Sequence, residues 1–132
     1  MPGITRRTSR KVMVGQVGIG GNARISVQSM TKTDTGDVEA TLSQIRRLKD
    51  VGCDIVRCAV PDMDAVMALQ EIKRRSPLPV VADIHFDYRL ALAAVRAGAD
   101  KLRINPGNIG GRDRVAEIVD AAKVQGIPIR VG

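Results

Sequence analysis

The stretch Ala97-Gly-Ala-Asp-Lys-Leu-Arg-Ile-Asn105 contains the end of one predicted helix and the strand that follows it. A glycine such as Gly98, placed just beyond a helical pattern, predicts a left-handed cap before the chain turns into the strand. Within the strand, Leu102 and Ile104 point to one face and Arg103 points to the other. The stretch therefore predicts a strand with one apolar and one polar face, entered directly from a helix.

The same succession of helix, glycine and strand recurs along the chain. Val51-Gly-Cys-Asp54 nearly repeats Ala97-Gly-Ala-Asp100, and Gly126 precedes the last strand. The predicted strands are Ile25–Met30, Asp54–Val60, Pro79–His85, Lys101–Asn105 and Pro128–Val131. The helical patterns between them place apolar residues on one face: Val38, Leu42, Ile45 and Leu48, then Val66, Leu69 and Ile72, then Leu90, Ala94 and Ala97, then Val115, Ile118, Val119 and Ala122. Alternation of this kind predicts a parallel sheet with right-handed crossovers.

The alternation inside the strands distinguishes a barrel from an open sheet. An open sheet would bury the polar face under helices, which is costly, whereas a barrel places that face inside, at the carboxyl-terminal mouth. We therefore predict an α/β fold, a partial TIM (β/α)8 barrel with five parallel strands and four helices. A β-hairpin precedes it, in which Val12–Ile19 leads into a turn at Gly20-Gly-Asn22. Residues 1–10 are predicted to form a basic flexible arm, and residues 11–132 the N-terminal part of the barrel domain.

Polar residues cluster at the predicted mouth, near the carboxyl ends of the strands. The set comprises Gln28, Arg57, Asp83, His85, Arg103, Asn105 and Arg130. Three arginines with few acids to pair them favour a phosphorylated or diphosphorylated small molecule, because guanidinium groups grip phosphate oxygens in a bidentate way. The glycine-rich loop Asn105–Gly111 leads into a helix and offers further backbone N–H groups to an anion. Two alternatives stay open: Asp83 could neutralise Arg57 or Arg103, and His85 could be an ordinary core histidine.

Composition narrows the function classes. Hydrophobic residues make up 44% of the chain but aromatic residues only 2%, and the formal net charge is +7. The basic excess favours anionic partners, but binders of single-stranded nucleic acid stack bases on aromatic rings, so no nucleic-acid partner is predicted. No apolar run approaches the roughly 20 residues of a membrane span, which predicts no membrane partner and a cytoplasmic location. The two cysteines, Cys53 and Cys58, are interpreted as buried thiols and not as metal ligands.

Four longer stretches are specific enough to be compared with a known family. They are Ser26-Val-Gln-Ser-Met-Thr31, Val81-Ala-Asp-Ile-His-Phe-Asp-Tyr-Arg89, Leu102-Arg-Ile-Asn-Pro-Gly-Asn-Ile-Gly110 and Ile127-Pro-Ile-Arg-Val-Gly132. Together they resemble 4-hydroxy-3-methylbut-2-enyl diphosphate synthase, an iron–sulfur oxidoreductase. The resemblance implies a TIM barrel joined to a C-terminal domain with a 4Fe–4S cluster. It also implies the reductive opening of 2-C-methyl-D-erythritol 2,4-cyclodiphosphate in the non-mevalonate isoprenoid pathway.

The resemblance further implies which partners and residues take part. Electrons would come from flavodoxin or ferredoxin, and the cyclic diphosphate would be bound by the residues that match the family's motifs: Arg57, His85, Arg103, Asn105 and Arg130. The catalytic residues stay unassigned, because no nucleophile–base pair is visible. A closed barrel takes about 250 residues, so we expect this chain to ligate no cluster and to be inactive alone. We also expect a truncated form, or a fragment completed by another copy in a homo-oligomer.

Two alternatives to this function remain open. The first is a non-catalytic half-barrel that binds phosphorylated ligands or assembles with a partner chain. The second is another phosphate-binding TIM-barrel enzyme, such as a pterin-binding synthase. Selective binding of a pterin diphosphate over the cyclic erythritol diphosphate would favour the second.

Overall fold

The computed structural model describes residues 12–19 and 26–131, in which strands and helices alternate as predicted. The strands are β1 (Val12–Val14), β2 (Val17–Ile19), β3 (Gln28–Met30), β4 (Ile55–Ala59), β5 (Val80–Ile84), β6 (Lys101–Ile104) and β7 (Ile129–Val131). The helices are α1 (Val38–Asp50), α2 (Met63–Arg75), α3 (Tyr88–Ala97), α4 (Pro106–Ile109) and α5 (Arg112–Gln125). The predicted basic arm, residues 1–10, and the predicted turn at Gly20–Asn22 lie outside the described residues.

Five parallel strands form one sheet in the order β3-β4-β5-β6-β7, which is also their order in the chain. A doubly wound sheet reverses its strand order at a switch point, whereas a TIM barrel adds each new strand on the same side. The strand order therefore confirms the predicted partial barrel. In the part of the chain that the structure describes, the sheet stays open and does not close into a full barrel.

The main hydrophobic core lies between the sheet and its helices. Alternate strand residues such as Val56, Ala82 and Leu102 are buried there against apolar helix residues, including Leu69 and Ile118. The predicted apolar helix faces thus pack on the predicted apolar strand faces. The opposite face of the sheet, called the inner face below, carries the polar side chains of the strands towards their carboxyl ends.

The N-terminal hairpin exists, but it turns inside Val12–Ile19, which was predicted to lead as one strand into a later turn. Strands β1 and β2 pair antiparallel around Gly15-Gln16, ahead of the glycines on which the prediction rested. Gly15 has a φ of +57°, and a Cβ on it would lie 3.1 Å from Pro79 Cγ. Only glycine suits a position that combines positive φ with so close a neighbour, and this requirement is invisible in a local hairpin pattern.

The hairpin covers the inner face at the end opposite the mouth. Val14 is fully buried and packs with Ile55 and Val81, which point to the inner face from the first halves of β4 and β5. Val17 and Ile19 pack against the same cluster. The amino-terminal half of the inner face is therefore apolar and covered, and the polar half lies towards the carboxyl ends of the strands.

One helix more than predicted is present in the described residues. Pro106–Ile109 forms the short helix α4 inside the stretch that was predicted to be a glycine-rich loop. Proline at the first position of a helix and an asparagine cap favour such a turn. The loop therefore does not lead directly into the long helix α5, because α4 and Gly110-Gly111 intervene.

The near repeat of glycine and aspartate has a structural explanation. Gly98 has the predicted left-handed conformation, with a φ of +99°, and two residues later the Asp100 carboxylate Oδ2 accepts the Val80 N–H at 2.8 Å. In the first copy, Asp54 Oδ2 accepts the Val27 N–H, also at 2.8 Å. Each aspartate thus clips the start of its own strand to the start of the preceding strand.

Replacing Asp100 with alanine is expected to lower the free energy of unfolding by about 1–3 kcal/mol, because the Val80 N–H loses its acceptor in a part-buried site. Asp100→Asn keeps an acceptor oxygen and loses only the ion pair with Lys73, 3.4 Å away, so it should cost less. Urea denaturation of both variants measures the difference. Equal stability of the alanine variant and the parent would contradict the clip.

Candidate anion site at the barrel mouth

Three charged residues lie side by side on the inner face of adjacent strands. In the strand register, Asp83 of β5 is opposite Arg103 of β6, and Arg103 is opposite Arg130 of β7. Arg57 approaches the same row from β4, one inner-face position nearer the hairpin. The parallel register therefore brings together residues far apart in sequence, as the alternation predicted.

Asp83 is the centre of this group and is only 1% exposed. Arg103 Nη1 donates a hydrogen bond to Asp83 Oδ1 at 3.0 Å, and Arg57 Nε lies 3.5 Å from Asp83 Oδ2. The sequence left open whether Asp83 pairs with Arg57 or with Arg103, and in the structure it pairs with both. One carboxylate is shared by two guanidinium groups, which leaves the group with a net positive charge.

The two arginines keep donors that the carboxylate does not use. The Nε atoms of Arg57 and Arg103 are both buried and have no hydrogen-bond acceptor in the described residues. Their side chains are 24% and 30% exposed, so part of each side chain stays open to a ligand. Arg57 Nη2 is further held by the Met30 sulfur, 3.5 Å away. Such a group is a pre-oriented fork for an oxyanion.

The remaining residues of the predicted site differ in what they offer. His85 is half-exposed, and its Nε2 lies 3.6 Å from Asp83 Oδ2, so it borders the charged group and is not a core histidine. Arg130 is exposed at the end of the row. Asn105 is exposed as well, but its side-chain oxygen accepts the Gly107 N–H at 3.0 Å and caps α4, which leaves its amide N–H groups for a ligand.

One residue of the predicted mouth lies elsewhere. Gln28 is the first residue of β3 and pairs with Ile55, whereas Met30 pairs with Arg57. Gln28 thus belongs to the level of the inner face that the hairpin covers, and its assignment to the mouth was wrong. The prediction failed because strand β3 starts later than expected, which moves Gln28 from the middle of a strand to its beginning.

Lys101 was on the polar face of its predicted strand but was left out of the predicted anion set. It pairs with Val81, one inner-face position below Arg103, and is half-buried. Burial lowers the pKa of its ammonium group, and the nearby Arg130 charge lowers the pKa further. The strand alternation already indicated that Lys101 shares the polar face with Arg103, because the two are two residues apart in one strand.

Replacing Lys101 with methionine is expected to raise the melting temperature near pH 7. The ammonium is less favourable in the folded state than in water, and no carboxylate in the described part of the chain pairs with it. A folded-state pKa below the ordinary 10.5 means that the unfolded chain binds more protons as the pH rises through the folded value towards 10.5. The melting temperature of the parent should therefore approach that of the variant across that pH interval, which thermal unfolding at several alkaline pH values can measure. A difference in melting temperature that does not narrow would contradict this expectation.

The sequence matches the family described as GcpE TIM-barrel domain over residues 9–132. The chain belongs to this family. It is 64% identical over 129 residues to 4-hydroxy-3-methylbut-2-en-1-yl diphosphate synthase (flavodoxin) of Azotobacter vinelandii, and 62% identical to the protein of that name in Pseudomonas putida. Each alignment covers 98% of this chain but 35% of the relative. The chain thus spans about a third of the length of the relatives it matches.

Solved structures agree on the fold of this GcpE-family barrel. Dihydropteroate synthase of Vibrio fischeri superposes with a TM-score of 0.67 at 14% identity, covering 93% of this chain and 48% of that one. A mandelate oxidase mutant superposes with a TM-score of 0.53 at 24% identity, covering 72% and 37%. At these identities the likeness shows the fold alone.

The residues of this barrel do not fit an iron–sulfur cluster. Among residues 12–19 and 26–131, no group of three or more histidine, cysteine or acidic side chains could hold a metal ion. Cys53 and Cys58 are both buried, and burial raises the pKa of the Cys58 thiol, which disfavours the thiolate that a cluster needs.

None of the described helices is long and apolar enough to cross a membrane.

Proposed function

We propose that this chain forms the diphosphate-binding wall of a 4-hydroxy-3-methylbut-2-enyl diphosphate synthase. The enzyme would reductively open 2-C-methyl-D-erythritol 2,4-cyclodiphosphate, the substrate implied by the motif resemblance. The observation that carries the proposal is the shared carboxylate of Asp83, which orients Arg57 and Arg103 beside Arg130 and leaves an excess of positive charge. Two phosphates with several oxygens match this number of guanidinium forks.

The roles of the binding residues follow from their positions. Arg57 and Arg103 would hold phosphate oxygens through the edges that Asp83 leaves open, and Arg130 would extend the row. Asn105 would donate from its amide nitrogen, since its oxygen caps α4. His85 directly follows β5, beside Asp83, and would donate a hydrogen bond to an oxygen of the ligand.

The redox partners belong to the same proposal. Flavodoxin stands in the printed name of both relatives, and ferredoxin is the alternative donor from the motif resemblance. We place the 4Fe–4S cluster in the part of the relatives' length that this chain does not match, because the described residues offer no ligand set. Homo-oligomeric assembly is a further part of the proposal.

Calorimetric titration of the purified protein with the cyclic diphosphate tests this function. We expect saturable binding that weakens as salt is added, because the contacts are largely ionic. The matched control ligand is 2-C-methyl-D-erythritol, which lacks both phosphates and should not bind measurably. Absence of binding by a protein that circular dichroism shows to be folded would refute the anion site. Preference for a pterin diphosphate would favour the pterin-binding alternative instead.

A further inference from the structure

Lys101 is an unpaired cation on the inner face of the sheet. It is the first residue of β6, is half-buried, and lies two residues before Arg103 on the same face of the strand. None of the ion pairs within residues 12–19 and 26–131 includes its ammonium group. A half-buried charge without a counter-charge lowers the stability of a protein, so its presence here needs an explanation.

The neighbouring carboxylates on these strands are already engaged. Asp100, directly before Lys101, accepts a backbone N–H of β5 and pairs with Lys73, 3.4 Å away. Asp83, one inner-face position nearer the mouth, is shared by two arginines. Val81, the partner of Lys101 in the strand register, belongs to the apolar cluster under the hairpin. The counter-charge of Lys101 therefore comes either from a bound anion or from a carboxylate in the part of the relatives' length that this chain does not match.

The charges around Lys101 favour a bound anion. In the register of the sheet, Arg57 and Lys101 flank Val81 on one level. Arg103 and Arg130 lie side by side on the next level towards the mouth. Burial lowers the pKa of the Lys101 ammonium, and the charge of Arg130 is near enough to lower that pKa further. Among the described residues, four cations thus share one carboxylate, and a single added carboxylate would still leave the group cationic, whereas two phosphates supply several negative charges at once.

We propose that Lys101 is a further ligand-binding residue, which holds the second phosphate together with Arg130. The first phosphate lies on Arg57 and Arg103, as in the proposed function, on which this inference rests. Lys101 thus makes the site selective for two linked phosphates over a single phosphate. The ammonium is unpaired in the free protein because its counter-charge arrives with the ligand, and a loss of stability of this kind is common at functional sites.

The test compares ligands with one and with two phosphates. Inorganic phosphate and inorganic diphosphate are titrated by calorimetry into the purified protein at its natural length, at physiological salt, where charges further apart than about 8 Å are largely screened. Lys101→Met is expected to weaken diphosphate binding by about 10-fold or more, because a charge-assisted contact is lost. Binding of the single phosphate, which Arg57 and Arg103 hold, should weaken by less than about 2-fold. The preference of the protein for diphosphate over phosphate therefore falls in the variant.

Lys123→Met is the matched control, and Lys101→Arg is the conservative variant. Lys123 is an exposed residue in the last turn of α5, so its loss removes the same charge and should change neither affinity. Lys101→Arg keeps the charge at the site and should retain most of the affinity for diphosphate.

Three results would overturn the inference. The first is a Lys101→Met variant that binds diphosphate as tightly as Lys123→Met does. The second is an equal weakening of phosphate and diphosphate binding, which would show that Lys101 acts only through the total charge of the site. The third is a Lys101→Met variant with a lower melting temperature than the parent and an unchanged affinity for diphosphate, which would assign Lys101 to an ion pair with the rest of the protein. In each of these cases diphosphate binding by the parent leaves the proposed function standing, whereas a folded parent that binds no diphosphate would remove the anion site and this inference together.

Discussion

Replacing Arg103 with alanine is expected to weaken binding of the cyclic diphosphate by about 100-fold, because charge-assisted hydrogen bonds contribute roughly 1.5–3 kcal/mol. Arg103 is the arginine best held for this role, since its Nη1 bonds to Asp83 at 3.0 Å and its remaining donors are free of other partners in the described residues. Calorimetric titration of parent and variant measures the ratio of dissociation constants. Arg103→Lys keeps the charge but loses the planar fork, so its loss should be intermediate.

Arg96→Ala is the matched control for this substitution. It removes the same charge from an exposed position on α3, beside the outer groove between α2 and α3. A similar loss of affinity in Arg96→Ala would mean that the overall positive charge of the chain attracts the ligand, and that no specific site is involved. Thermal unfolding of each variant separates loss of binding from loss of structure.

Asp83→Asn is expected to lower the free energy of unfolding by about 2–3 kcal/mol, because two partly buried guanidinium groups lose their shared counter-charge. The buried position of Asp83 makes the loss large, whereas the same change at Asp50, an exposed residue at the end of α1, should have little effect. Urea denaturation of both variants provides the comparison. An Asp83 variant as stable as the Asp50 variant would show that the arginines need no carboxylate between them.

The Asp83 substitution also separates two roles of Arg57 and Arg103, which are pairing with the carboxylate and binding an anionic ligand. Added inorganic diphosphate should restore part of the lost stability, because an anion bound to the folded state takes over the role of counter-charge and shifts the folding equilibrium. The stabilisation by diphosphate should exceed that of the parent at the same concentration, since the variant site carries one more positive charge. A smaller gain in the variant would mean that losing the orientation of the arginines outweighs the gain in net positive charge.

Much of this fold could be predicted from local patterns. The spacing of Leu42, Ile45 and their equivalents gave the helices, because a buried face of a helix repeats every three to four residues whatever the fold. The alternation of Leu102 and Arg103 gave the orientation of a strand, because neighbouring side chains point to opposite faces. Both rules act within a few residues and need no knowledge of the rest of the chain.

Errors arose where a position depends on distant neighbours. The hairpin turn lies at Gly15, whose positive φ and close approach to Pro79 favour glycine, and nothing near Gly15 in the sequence indicates Pro79. Gln28 was placed at the mouth because the start of β3 was taken too early, and strand ends depend on which partner residues offer hydrogen bonds. The short helix α4 was not predicted, because glycine-rich sequence is typical of loops as well as of helix ends.

The sequence by itself determined that this chain is a set of β/α units with arginines on the inner face, since periodicity and alternation are local properties. It also determined the family, through motifs that span most of the chain. Only the tertiary structure decided that Asp83 serves two arginines at once and that His85 lies beside the same carboxylate. Those arrangements depend on the register between parallel strands, which is set by hydrogen bonds and packing between segments some 20 residues or more apart.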